Sequence, residues 1–168
     1  YDDQLEVGIR CARLGKSSLV FGAAVFRGEQ RLVHGELVYV FADPATQTSQ
    51  PVPVALREWL QAFERGEPMV DVRRGDWAAL APFATPIRRN VFTTEQGIDA
   101  ALDDDGADAD AFHVVAFNRL GAALGTGRLV RHGERVGKIG RMAVVASLRG
   151  STVGRQMLDA LVTAARQR

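Results

Sequence analysis

The chain has 168 residues, 46% of them hydrophobic and 24% charged, with 21 basic against 20 acidic side chains. That is the composition of a globular fold with a sizeable core, in one domain or two small ones. No apolar run reaches the ~18 residues of a membrane span and no signal-peptide pattern is present, which points away from a membrane. The near-even charge balance argues against nucleic acid as a partner. The lone Cys11 excludes an internal disulfide framework and a multi-cysteine zinc site, so no metal and a reduced, cytoplasmic setting are expected.

In chain order, Leu5, Val7, Ile9 and Cys11 alternate with Glu6, Gly8, Arg10 and Ala12, the pattern of a half-buried strand. Leu14–Ser17 reads as a turn, and Leu19–Phe26 is a nearly continuous apolar strand ended by Gly28-Glu29. Leu32–Phe41 is a third strand, so a three-stranded antiparallel meander is expected. Pro51-Val-Pro53 opens a helix that places Leu56, Trp59, Leu60 and Phe63 on one face. The polar stretch Glu64-Arg-Gly-Glu-Pro68 is the expected linker, dividing the chain into residues 1–67 and 68–168.

Beyond it, Met69–Arg73 is a short strand. Asp76 is placed to cap a helix through Trp77–Phe83, and Pro86 to start another through Phe92. The segment 99–110 is an acidic loop, with His113–Phe117, Gly125–Val130 and Lys138–Val145 as strands. Seven acids and no base lie between Glu95 and Asp110, whereas ten bases against Glu134 and Asp159 lie between Arg119 and Arg168. The last strand runs into a turn holding Arg149, Gly150 and Gly154. An amphipathic helix follows, with Val153, Met157, Leu158, Leu161, Val162 and Ala165 on one face. Unpaired amides and the dipole at a helix N-terminus suit an anion, and glycine allows close backbone approach, so this turn reads as a diphosphate site. The chain starts at Tyr1 and ends inside a helical pattern, and is expected to be a piece of a longer protein.

Residues 149–154 (Arg-Gly-Ser-Thr-Val-Gly) resemble motif A of the GNAT N-acyltransferases, [Gln/Arg]-x-x-Gly-x-[Gly/Ala]. Ile87-Arg88, Val91-Phe92, Glu95-Gln-Gly-Ile98, Asp105, Asp108, His113, Gly125-Thr-Gly-Arg128 and Gly140-Arg-Met-Ala-Val144 resemble one branch of that family in order. The resemblance implies a mixed sheet with flanking helices and acetyl-CoA or another acyl-CoA as donor to an amine acceptor. Arg149, Gly150, Ser151, Thr152, Val153, Gly154 and Arg155 would hold the pyrophosphate, chiefly by backbone amides. Met142, Ala143 and Val144 would hold the pantetheine and polarise the thioester carbonyl. Thr152 stands where most members carry Gly, and weaker or altered cofactor binding is expected there. The family's usual tyrosine acid has no counterpart in this half. Glu95 and His113 remain as catalytic candidates for proton transfer, with a surface carboxylate and a packing imidazole as their plainer readings. Residues Asp103–Asp110 form either a solvated loop or a surface selecting a cationic acceptor. Arg128 and Arg141 either pair with those acids or touch a ligand.

Residues 1–65 resemble the later part of a hotdog-fold thioesterase of the 4-hydroxybenzoyl-CoA group. The resemblance lies in Leu5-x-Val7, Leu14-Gly-Lys-Ser-Ser18, the Leu32–Phe41 strand, Asp43-Pro44 and Pro51-Val-Pro53-x-x-Leu56-Arg57. It implies an α+β chain: a partial hotdog antiparallel sheet followed by a partial GNAT sheet. It also implies acyl-CoA thioester hydrolysis and homo-oligomers through the hotdog half. Two alternatives stand beside it: a non-catalytic dimerisation module, and a catalytically incomplete fragment. Lys16, Ser17 and Ser18 are either a polar turn or CoA contacts, and His34 and Glu36 read first as edge or interface residues. Such a sheet without its helix would leave an apolar association surface.

Overall fold

The computed structural model describes residues 3–167. They form two units that divide between Met69 and Val70, each with its own sheet. In the first, β1 (Glu6–Leu14), β2 (Ser18–Arg27) and β3 (Gln30–Val40) pair antiparallel in that order. Gly28, at φ +56°, makes the tight β2–β3 turn that a side chain would strain. Helix α1 (Val54–Glu64) follows Pro53. Its Arg57 donates to the Gly15 carbonyl at 2.7 Å, and the Val52 amide to the Lys16 carbonyl at 2.8 Å. Lys16 and Ser17 therefore form a turn fastened to the start of α1, and Ser18 opens β2.

Cross-strand partners share a face. Val7–Val25–Val33, Cys11–Phe21–Leu37 and Leu14–Leu19–Tyr39 thus build one apolar face. α1 covers its Leu14 end, where Leu19, Val52 and Leu60 are buried with Cys11, Leu14, Phe21 and Leu56. Toward the other end Val7 stays 74% exposed and Val33 58%. His34 and Glu36 pair with Ala24 and Gly22 on the opposite face, both exposed.

In the second unit β4 (Val70–Gly75), β5 (Phe112–Asn118), β6 (Ala123–Arg131) and β7 (Gly137–Val144) form one sheet in chain order. Every pairing is antiparallel, where a mixed sheet was expected. For β5–β6 and β6–β7 the cause is local, since short turns reverse the strand; β4 and β5 are joined through the helical segment 76–111. Helix α4 (Val153–Arg166) packs Val153, Met157, Ala160, Leu161 and Ala164 on one face of the sheet, against Val114, Ala116, Leu124 and Leu129. Helix α2 (Trp77–Arg88) packs Leu80 and Ala84 on the other, against Val115 and Phe117. β5 is covered on both faces, which is why it reads as an unbroken apolar run. A Cβ on Gly125 would lie 2.7 Å from Met157 Cε, and one on Gly127 2.9 Å from Leu161 Cδ1. Those glycines let α4 approach β6.

Asp76 caps α2, accepting from the Ala79 amide at 2.9 Å. The helix does not break and restart at Pro86 as expected. It runs through Pro82 and Pro86 to Arg88 and widens into a π-helical segment, Arg89–Glu95. There the Gln96 amide donates to the Val91 carbonyl, five residues back. The acidic stretch is likewise not all loop, since α3 (Ala100–Asp103) forms behind an Asp99 cap. No helix of the described residues is long and apolar enough to cross a membrane.

Candidate functional site

β7, the turn after it and α4 form the core of the site. The chain leaves β7 through a 3-10 turn at Ala146–Leu148 and reverses at Gly150, whose φ of +80° favours glycine. Thr152 sits at φ −77°, ψ −6°, ordinary right-handed backbone. The expected penalty for a side chain at that position therefore does not arise from its backbone. Its hydroxyl accepts from Gln156 Nε2 at 3.0 Å. Among the described residues the amides of Gly154 and Arg155 have no partner, and that of Val153 meets only the Ser151 hydroxyl at 3.4 Å. These are orphan donors of a 14-residue helix whose dipole favours an anion.

Alongside the turn runs β7, paired with β6 on one side and with no strand on the other among the described residues. Its register jumps between Arg128–Gly140 and Thr126–Ala143, so Arg141 and Met142 stand opposite Gly127 alone. Arg141 takes φ +51°, which is costly for a residue with a side chain. A bulge of this kind breaks the ladder and re-aims backbone groups, a feature common beside active sites. Met142 also lines a half-open pocket of about 230 Å³ with Phe92, Ile98, Leu102, Asp103 and Arg141.

Glu95 ends the π-helical segment. Its carboxylate accepts from Asn90 Nδ2 at 3.1 Å and is ion-paired with Arg149 Nη2. Arg149 Nε donates to the Val144 carbonyl at 3.1 Å. Glu95 and Arg149 are 54 residues apart, and nothing in the sequence signals their contact.

Of the acids in Asp103–Asp110, Asp103, Asp105 and Asp108 are neither merely solvated nor free to select a cation, because three arginines hold them. Arg88, 2% exposed, binds Asp108 at 2.8 Å and lies 3.3 Å from Asp103. Arg128 binds Asp105 at 2.6 Å and Asp108 at 2.8 Å. Arg141 lies 2.9 Å from Asp103 and donates to Asp105 at 3.2 Å. Hydrogen bonding to Arg128 holds the Asp105 carboxyl well below the usual carboxylate range. Burial works to raise the Asp108 carboxyl, but hydrogen bonds from Arg88 and Arg128 outweigh it and leave it lowered. The same bonds raise Arg128 above its ordinary value, led by that to Asp105.

His113 is 1% exposed, with Nε2 2.9 Å from the Asp108 carbonyl and its ring 4.8 Å from that of Trp77. Burial pushes its basicity down, against the pull of Asp108. It lies on β5, with β6 between it and β7. Two strand spacings are ~10 Å, too far for direct proton transfer at the β7 edge.

Residues 76–168 match the model of the acetyltransferase (GNAT) family. The chain belongs to that family. A solved structure from Lactobacillus plantarum, assigned as an N-acetyltransferase, is 28% identical. The match covers 60% of this chain and 70% of that one at a TM-score of 0.55. ElaA of Escherichia coli is similar in fold at 21% identity and TM-score 0.53, over 60% of this chain and 72% of its own. A GNAT acetyltransferase from Staphylococcus aureus is similar in fold at 15% identity and TM-score 0.51, over 58% and 66%. A GNAT acetyltransferase acts on CoA thioesters and amine acceptors. None of these relatives supports a fused hotdog thioesterase or oligomers made through one.

Proposed function

We propose that this GNAT chain transfers an acyl group from acyl-CoA to an amine, with the donor laid along β7 and its pyrophosphate at the start of α4. The observation that carries this reading is the meeting of two sets of backbone donors. The unpartnered amides of Gly154 and Arg155 stand at one end, and the bulged outer edge of β7 at Met142, Ala143 and Val144 runs beside them. A helix N-terminus neutralises the diphosphate. An edge amide of β7 donates to the thioester oxygen, where negative charge grows as the amine attacks. The pocket at Phe92 and Met142 receives the acyl group. Nitrogen bonds to the carbonyl carbon, the C–S bond breaks, and the proton given up by the amine passes, through solvent, to the departing thiolate, leaving an amide and free CoA thiol. His113 is not assigned that proton, given its burial and distance, and serves the packing of Trp77 and Asp108. A cytoplasmic setting suits a CoA-dependent enzyme.

Isothermal calorimetry with CoA and with acetyl-CoA tests the reading. One-site binding of both is expected, and absence of binding of either contradicts it.

A second reading concerns the first unit. Its partly uncovered apolar face, with Val7 74% and Val33 58% exposed, favours an association module over a thioesterase. Sedimentation of the protein as a concentration-dependent dimer supports this reading, and a strict monomer removes it.

A further inference from the structure

We infer that Glu95 is a positioning residue: it works through Arg149 and straps the pyrophosphate turn to the end of β7. The inference rests on the acyl-CoA reading above and goes beyond it.

Arg149 opens the turn and would be the natural cation for a diphosphate. Its guanidinium is already engaged on two sides. Nε donates to the Val144 carbonyl at 3.1 Å, and Nη2 is ion-paired with Glu95 Oε2. The other oxygen of Glu95 accepts from Asn90 at 3.1 Å. A continuous chain of contacts thus runs from the π-helical segment through Arg149 to the last residue of β7. It joins the strand proposed to hold the thioester to the turn proposed to hold the diphosphate.

The π-helical winding gives this chain its geometry. Asn90 and Glu95 are five residues apart. On an α-helix that spacing would separate them by about 140° around the axis. Bonding between residues five apart brings them to one side, where they meet. A rigid donor must reach the thioester site and the pyrophosphate site together, so a small error in the spacing of the two costs affinity.

The test turns on the sign of an effect. Glu95 is an anion close to the proposed diphosphate site. If it acts only by charge, Glu95→Gln removes a repulsion, frees Arg149 for the phosphates and tightens CoA binding. If it positions the turn, the same change weakens binding. Calorimetry with CoA should show wild type tightest, Glu95→Asp close behind, and Glu95→Ala about tenfold weaker. Glu95→Gln should fall between them. Asn90→Ala alters no charge and should weaken binding about threefold. The losses should persist in 0.5 M salt, where a charge effect would fade. Thermal midpoints should stay within a few degrees, because the pair is solvent-accessible and such pairs add little stability. CoA binding to Glu95→Gln as tight as, or tighter than, wild type overturns the inference while leaving the acyl-CoA reading intact. A wild-type protein that binds no CoA defeats the acyl-CoA reading itself, and this inference with it.

Discussion

Replacing Asp108 by alanine is expected to be the most damaging single change to the second unit. Arg88 and Arg128 share this carboxylate, both at 2.8 Å, and their side chains are 2% and 6% exposed. Removing it leaves two buried guanidiniums short of an anion. Breaking a buried pair in this way costs about 3–5 kcal/mol. The low end applies, because Arg128 keeps Asp105 at 2.6 Å and Arg88 keeps Asp103 at 3.3 Å. A loss of about 3 kcal/mol in a unit of this size lowers the melting midpoint by roughly 12–24 °C. Urea melts of wild type, Asp108→Ala and Asp108→Asn measure it, with the asparagine variant intermediate because it keeps one of the two acceptor oxygens without the charge. The pH dependence carries a sign. Asp108 titrates below the ordinary 3.8, so its contribution is complete above about pH 3.8 and is lost as the pH falls through the lower folded value. Asp108→Asn should lack that part of the acid limb. A stability change under about 0.5 kcal/mol for Asp108→Ala, the size of an ordinary surface substitution, would refute the ion-pair argument.

Gly127→Ala puts a methyl 2.9 Å from Leu161 Cδ1 and 3.3 Å from Met142 Cγ, and should destabilise by about 1–3 kcal/mol in a thermal melt. An unchanged midpoint would show that α4 adjusts freely. Thr152→Gly should leave CoA affinity within about twofold, since the position is right-handed and gains nothing from glycine; a large gain in calorimetry would show that the threonine side chain obstructs the site. Met142→Trp should fill the pocket of about 230 Å³ and lower affinity for hexanoyl-CoA more than for acetyl-CoA; equal losses would place the acyl group elsewhere. His113 is buried and titrates below its ordinary 6.5. The unfolded chain therefore takes the proton first, and stability should fall as the pH drops below about 6.5, a slope that His113→Gln removes.

What was legible in the sequence was local. The strand into Gly150 and the amphipathic helix after it follow from alternation, glycine and period, and Asp76 announced the start of α2. Pro86 misled, because it argues for a fresh helix start while packing of Leu80, Ala84 and Ile87 keeps the helix whole. The π-helical segment left no trace, since no residue type marks bonding five residues back. The bulge was equally silent, its positive φ falling on Arg141 where a glycine would have given warning. The ion cluster joins residues 15 to 38 apart, from Arg88–Asp103 to Asp103–Arg141. Composition showed acids and bases in separate blocks, and only the fold decides which of them meet.

The central claim is that an acyl-CoA lies along β7 with its pyrophosphate at α4. An amide-resolved NMR titration with acetyl-CoA tests it most directly. Saturable shifts are expected at Gly150–Arg155 and Met142–Val144, with β1–β3 unmoved. Shifts confined to other surfaces, or none at saturating acetyl-CoA, would contradict it.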